Sequence, residues 1–367
     1  MYKVYNIHNK VKFSNDSQSM LGEHIDFQFK QFCVSKNEKC HVLDFNLREI
    51  NVLSKNVKIK YRNQHRVFSV GESEFIIKVG NGYCYMDGTK SLLHQKDIYY
   101  TAGLPKTYLV FLLELLIRIH IIQQNVLLVH AAGMEKHNKG IIFPSWKSMG
   151  KTTMCIKLAE NNYGFMGDDK VFIDEHSNIL AYHKYLVLKD SNFKFNLKYL
   201  GKIEKILFYL YVSLSKKPFY IIKTMYVRFI GKPLKYLSPK DVFLKTKLIA
   251  ISKINSIVYL KKSNVKSIKL STFNSQSAYN IIYSIDKLEL DSNLEEFISM
   301  HDMLFSDVNI WRKEINSFTS IEKELLHKIV ISNSTYYLEI PNDFDFNNNN
   351  SFVDEINSLI MSLIDHE

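Results

Sequence analysis

Gly140-Ile141-Ile142-Phe143-Pro144, followed at once by Ser145-Trp146-Lys147-Ser148-Met149-Gly150-Lys151-Thr152-Thr153, is the stretch from which the rest of the chain can be read. The apolar run has the length and composition of a buried strand, and Thr153 to Asn161 has the spacing of a helix that begins inside the motif. Ser145 to Thr152 fits the phosphate-binding loop pattern, with Ser145 in place of the first glycine. In such a loop, successive backbone N–H groups and the positive end of the following helix converge on phosphate oxygens. Lys151 then neutralises β/γ-phosphate charge, Thr152 offers a hydroxyl to Mg²⁺, and Gly150 lets the main chain approach where a Cβ would intrude. Ser145 through Thr153 are therefore the candidate cofactor-binding residues, and Mg²⁺–ATP is the expected cofactor. Lys151, read as an exposed loop lysine, is expected to matter for binding and hardly at all for stability. Lys147 is open between adding charge towards the phosphates and pointing to solvent. The competing readings are a chance match in a lysine-rich chain and a degenerate loop that no longer binds nucleotide.

Two further features flank the loop. Upstream, Val126-Leu127-Leu128-Val129-His130 is an apolar strand that ends in a histidine. Downstream, Tyr163-Gly164-Phe165-Met166-Gly167-Asp168-Asp169 places two adjacent acids where one strand turns into the next. Side chains of neighbouring strand residues point to opposite faces, so only one of the two acids can serve as a base. The other suits Mg²⁺, directly or through water. Phosphoryl transfer depends on positioning, charge neutralisation and one carboxylate within reach of the nucleophile. Adjacent aspartates after a glycine also form ordinary solvated turns, and a lone histidine closing an apolar strand is often only a hydrogen-bonded core residue.

In order, a histidine on a strand, the phosphate loop, a helix and a paired-aspartate turn, the stretch resembles the core of the HPr kinase/phosphorylase family and its relatives, including kinases of lasso-type peptides. The resemblance covers about a third of the chain well. It implies Asp169 as the base that accepts the proton of the attacking hydroxyl, with Asp168 and His130 as supporting catalytic neighbours and with Thr152 and Asp168 at the metal. It also implies a twisted mixed sheet like that of phosphoenolpyruvate carboxykinase rather than a doubly wound parallel sheet. The chain departs from the family at Ser145 and Ser148, where glycine is usual.

The expected fold is α/β, with a mainly antiparallel β lobe over 1–105 and a phosphate-loop core of the HPr kinase/phosphoenolpyruvate carboxykinase type, with helical segments towards its end, over 106–367. In the lobe, short Val-, Ile- and Tyr-rich runs alternate with turns, and Asn81-Gly82 and Asp87-Gly88 are hairpin signals. Thr107 to Gln124 reads as a helix buried on the sheet rather than a membrane span, with Glu114 and Arg118 paired four residues apart. Later, 185–188, 226–230, 256–260 and 335–340 read as strands. Residues 278–284, 293–305, 320–331 and 352–364 read as helices, the last with Ser351 as its cap. The aromatic and basic stretch 193–220 reads as a solvated amphipathic helix or as a clasp for an acidic ligand.

A formal charge of +11, from 48 Lys+Arg against 37 Asp+Glu, suits a nucleotide or an acidic partner. The lysines are scattered and accompany no zinc or RNA-binding pattern, so a nucleic acid is not expected as partner. Cys33, Cys40, Cys84 and Cys155 lack metal-ligand spacing, and Met1-Tyr2-Lys3-Val4-Tyr5 lacks the basic and apolar regions of an export signal, which together favour reduced thiols in a cytoplasm. The expected function is an ATP-dependent kinase acting on a hydroxyl of a peptide, a protein or a small molecule, the first two through Ser or Thr. A nucleotide-binding regulatory or scaffold protein is the alternative from another class, and a homo-oligomer is compatible with either.

Overall fold

The computed structural model describes residues 2–16, 19–34, 42–50, 57–62, 65–70, 74–147, 149–184, 186–187, 206, 236–237, 239, 246–342 and 350–365. It is a mixed α/β protein built on two large sheets. The first contains β1 (Tyr2–Ile7), β2 (Val11–Asp16), β3 (Phe45–Glu49), β4 (Val57–Arg62), β5 (His65–Val70), β6 (Glu74–Val79), β7 (Gly82–Asp87) and β8 (Asp97–Tyr100). Their spatial order is β1-β2-β3-β8-β7-β6-β5-β4, antiparallel except where β3 pairs in parallel with β2 and β8. The lobe also holds a helix that the sequence reading did not anticipate, α1 (Met20–Phe29). Ser19 caps it by accepting the Gly22 N–H, and Leu21, Ile25 and Phe29 bury one stripe of it.

The two turn signals resolve differently from expectation. The β6–β7 turn residues are Gly80 and Asn81, with Gly80 at φ 60°, so glycine occupies the first central position of a two-residue loop. Gly82 instead opens β7, packed against the Leu104 backbone where no Cβ fits. Asp87-Gly88 makes no tight hairpin. Asp87 accepts the Thr89 N–H and hydroxyl and starts a longer connection to β8 that includes a 3-10 turn at Leu92–His94.

Helix α2 (Lys106–Ile122) follows, and thirteen of its seventeen residues are buried, which places it between layers rather than on a surface. Glu114 and Arg118 find partners outside the helix instead of each other: Glu114 meets Lys170 and Lys184, and Arg118 meets Glu322 at 3.2 Å. A helix covered on nearly all sides gives each charge a nearer counter-charge from its own neighbour. Among the described residues, no helix is long and apolar enough to cross a membrane.

The second sheet contains β9 (Val126–Val129), β10 (Ala131–Lys136), β11 (Lys139–Pro144), β12 (Gly164–Gly167), β13 (Val171–Asp174) and β14 (Asn178–Leu180). After a separate two-stranded pair, β15 (Leu186–Val187) with β16 (Tyr236–Leu237), it continues with β17 (Ile251–Ser263), β18 (Lys269–Thr272) and β19 (Ser334–Pro341). The sheet is mixed: β11, β17 and β19 run parallel, and the remaining pairings are antiparallel. The helices are α3 (Lys151–Glu160), α4 (Ser275–Leu304), α5 (Ile310–Ile331) and α6 (Asn350–Asp365). The two helical stretches expected over 278–305 are thus one continuous helix, capped by Asn274. Ser351 lies inside α6 rather than capping it, because the helix already includes Asn350. The strand expected at 226–230 lies outside the described residues, as does 193–220 apart from residue 206.

Two cores result. One joins the first sheet, α1, α2, β9, β13, α4 and α5, and the other lies between α3, α6 and the β10–β11–β17–β19 part of the second sheet. Trp311 of α5 is fully buried against Phe75 and Phe297 and donates its indole N–H to the Lys90 carbonyl at 2.7 Å, so the late helices cover the early sheet.

Candidate functional site

β11 ends at Pro144, and the chain then turns through the loop into α3. Gly150 stands at φ 97° as the residue before the helix, a conformation that side-chain-bearing residues rarely adopt. The Lys151 ammonium donates to the Ser145 carbonyl at 2.9 Å and closes the loop into a ring. Lys151 is only 8% exposed, contrary to its reading as an exposed loop lysine, because the ring encloses its stem. Ser145 and Thr153 are buried, and Trp146 and Lys147 are exposed. Met149 is half-buried, and Ser148 lies outside the described residues.

The second half of the site is a corner at which two strand pairs change direction together. β10 pairs with β12, with Gly133 opposite Gly167, and β9 pairs with β13, with Val129 opposite Val171. Between these registers the two corners, His130 on one side and Asp168-Asp169-Lys170 on the other, are forced to face each other. The corner is tight, since a Cβ on Gly167 would lie 2.6 Å from the Lys170 carbonyl oxygen.

The two carboxylates meet different partners. Asp168 accepts the Thr152 hydroxyl at 3.0 Å, which brings the first turn of α3 onto the corner. Asp169 lies 3.9 Å from His130 Nδ1, with half of its side chain open to solvent and the buried His130 behind it. Burial alone would raise the Asp169 carboxyl. The charges of His130, Lys170, Lys184 and Lys151 outweigh it and hold the group at about 2, so the carboxylate is ionised at neutral pH. Lys170 and Lys184 are themselves fixed by Glu114 from α2, whose carboxyl is driven up by burial but brought below its ordinary value by the two ammonium groups.

Behind His130 stands a residue the sequence did not single out. Asp286 of α4 accepts the His130 backbone N–H at 2.6 Å, from 156 positions along the chain. No local pattern announces such a contact. Asp286 and Glu322 share the attraction of Arg118, and burial pushes the first to about 6 and the second to about 7.

The residues available to hold a cation are Thr152 and Asp168. Mg²⁺ takes oxygen ligands at about 2.0–2.1 Å in an octahedron, whose adjacent ligands are about 3 Å apart. The Thr152 hydroxyl and Asp168 carboxylate have that separation. Among the described residues, no group of three or more His, Cys, Asp or Glu side chains forms a metal cage.

No family model matches the chain, and no curated protein matches it in sequence.

Proposed function

We propose that the protein is an ATP-dependent kinase with a core of the HPr kinase type, moving the γ-phosphoryl group to the hydroxyl of a serine or threonine in a peptide or protein. The observation that carries this reading is the convergence of loop and corner: Thr152 is bonded to Asp168, while the next residue, Asp169, remains ionised and open beside His130. Loop N–H groups and Lys151 would hold the phosphates. Thr152 and Asp168 would hold Mg²⁺, which when bound supplies charge neutralisation at the β/γ-oxygens. Asp169, with its open face, would accept the proton of the incoming hydroxyl. An ionised carboxylate with a depressed pKa is a weak base, so its main service is to orient the hydroxyl and to take the proton as the O–P bond forms.

The test is single-turnover transfer. The protein is mixed with Mg²⁺ and γ-labelled ATP and offered arrays of serine- and threonine-bearing peptides alongside small alcohols and sugars. Label on peptide hydroxyls supports the proposal, and label only on small molecules moves the acceptor class. Calorimetry showing no affinity for Mg²⁺–ATP would remove the reading altogether.

A further inference from the structure

We infer that Trp146 is the platform on which the purine base of the bound nucleoside triphosphate stacks. The inference rests on the nucleotide-binding reading above and extends it from the phosphates to the base.

The other exposed large hydrophobic side chains of the described residues are aliphatic or methionine, whereas Trp146 presents an indole that is 39% exposed. Its indole lies beside the hydroxyl of Tyr259, where it opposes the rise that burial gives that group. Tyr259 is itself buried and belongs to a cluster of three rings. Its ring stacks on Tyr337 with centroids 5.6 Å apart, and Phe273 lies 5.2 Å from Tyr337 and 6.2 Å from Tyr259. Register explains the alignment, because Tyr259 of β17 and Tyr337 of β19 are direct partners in a parallel pair. On the other side of β17, Ile142 of β11 is opposite Ile257, and β11 continues from there through Pro144 towards Trp146.

The distance to the phosphates is short. The Lys151 ammonium bonds the Ser145 carbonyl, and that carbonyl is joined directly to the Trp146 nitrogen. The cation that would meet the phosphates and the indole are therefore neighbours in space, well within the length of one nucleotide. A flat and partly exposed indole at that position suits the flat π-face of a base, and stacking of this kind tolerates different bases. Purines, with two rings, gain more overlap than pyrimidines.

The experiment separates base from phosphates by using inorganic tripolyphosphate with Mg²⁺ as a ligand that has no base. The wild-type protein should bind Mg²⁺–ATP more tightly than Mg²⁺–tripolyphosphate by roughly 5- to 150-fold, the range that one aromatic–base stack supplies. Trp146→Ala should lose that preference and keep its tripolyphosphate affinity, which also reports that the loop is intact and folded. Trp146→Phe should restore most of the preference. Equal weakening of both ligands in Trp146→Ala, or wild-type ATP affinity in that variant, would overturn the inference. Failure of the wild-type protein to bind tripolyphosphate and ATP at all would instead overturn the nucleotide-binding reading beneath it.

Discussion

Replacing Asp286 by asparagine should make the protein more stable at alkaline pH and flatten its dependence on pH. Asp286 and Glu322 approach Arg118 from α4 and α5, and one guanidinium cannot neutralise two carboxylates. Burial raises Asp286 from 3.8 to about 6 and Glu322 from 4.5 to about 7, against the pull of Arg118, with Lys170, Lys151 and the His130 N–H adding to that pull on Asp286. The trio therefore retains a proton that the unfolded chain has already released. Between the unfolded and folded pKa values the native state binds more protons, so stability falls as pH rises through about 4 to 7, and the penalty is complete above that window. One proton held about two units higher corresponds to about 3 kcal/mol, and partial solvation reduces this to about 1–3 kcal/mol. Asparagine removes one charge, leaves the Arg118–Glu322 pair balanced, and can still accept the His130 N–H through its amide oxygen. Four histidines with lowered pKa values, His8, His24, His120 and His301, act in the opposite direction below about pH 6.5. They are common to both proteins, so the difference between the two cancels them. Urea unfolding of wild type and Asp286→Asn at pH 5 and pH 8 is the assay. The variant should gain about 1–3 kcal/mol relative to wild type on going from pH 5 to pH 8. A variant that loses ground at pH 8 would show that both carboxylates are ionised and well compensated, and the account of the trio would fail.

Lys151→Ala should abolish Mg²⁺–ATP binding in calorimetry and cost about 1 kcal/mol of stability without ligand, since its buried bond to Ser145 is lost. Asp169→Asn should leave Mg²⁺–ATP affinity within a few-fold and slow single-turnover transfer by roughly 10²- to 10⁴-fold, whereas wild-type transfer would remove Asp169 from the chemistry. Asp168→Asn should differ by raising the Mg²⁺ concentration needed for half-maximal transfer, read from a metal titration. Gly167→Ala should destabilise the protein by about 1–3 kcal/mol in urea unfolding, because its Cβ meets the Lys170 carbonyl at the corner.

The local elements were legible because their signals are local. The loop's glycine, the helix behind it and the turn carrying Asp168 and Asp169 can all be read within thirty residues of one another, and the apolar run of α2 and the apolar spacing of 320–331, the second half of α5, are visible too. What depends on distant partners was hidden. The i,i+4 spacing of Glu114 and Arg118 suggested a pair, but the buried environment of α2 gave each a partner 56 or more positions away. Asp286 is a polar residue on a long helix until the fold brings it under His130. The Asn81-Gly82 signal marked the right hairpin and missed its turn residues by one, because Gly80 supplies the positive φ and Gly82 is needed where Leu104 crosses.

The burial of Trp311 bears on how the chain is made. Its indole bonds the Lys90 carbonyl across 221 positions, and its ring fills the space beside Phe75. A ribosome adding about 5–20 residues per second takes roughly 10–45 s to cover that interval. Throughout it the nascent first sheet waits with an unfinished apolar face. The early sheet is thus a scaffold that α4 and α5 must seal, and truncation before α5 should yield a chain that clings to chaperones or aggregates instead of a smaller folded protein.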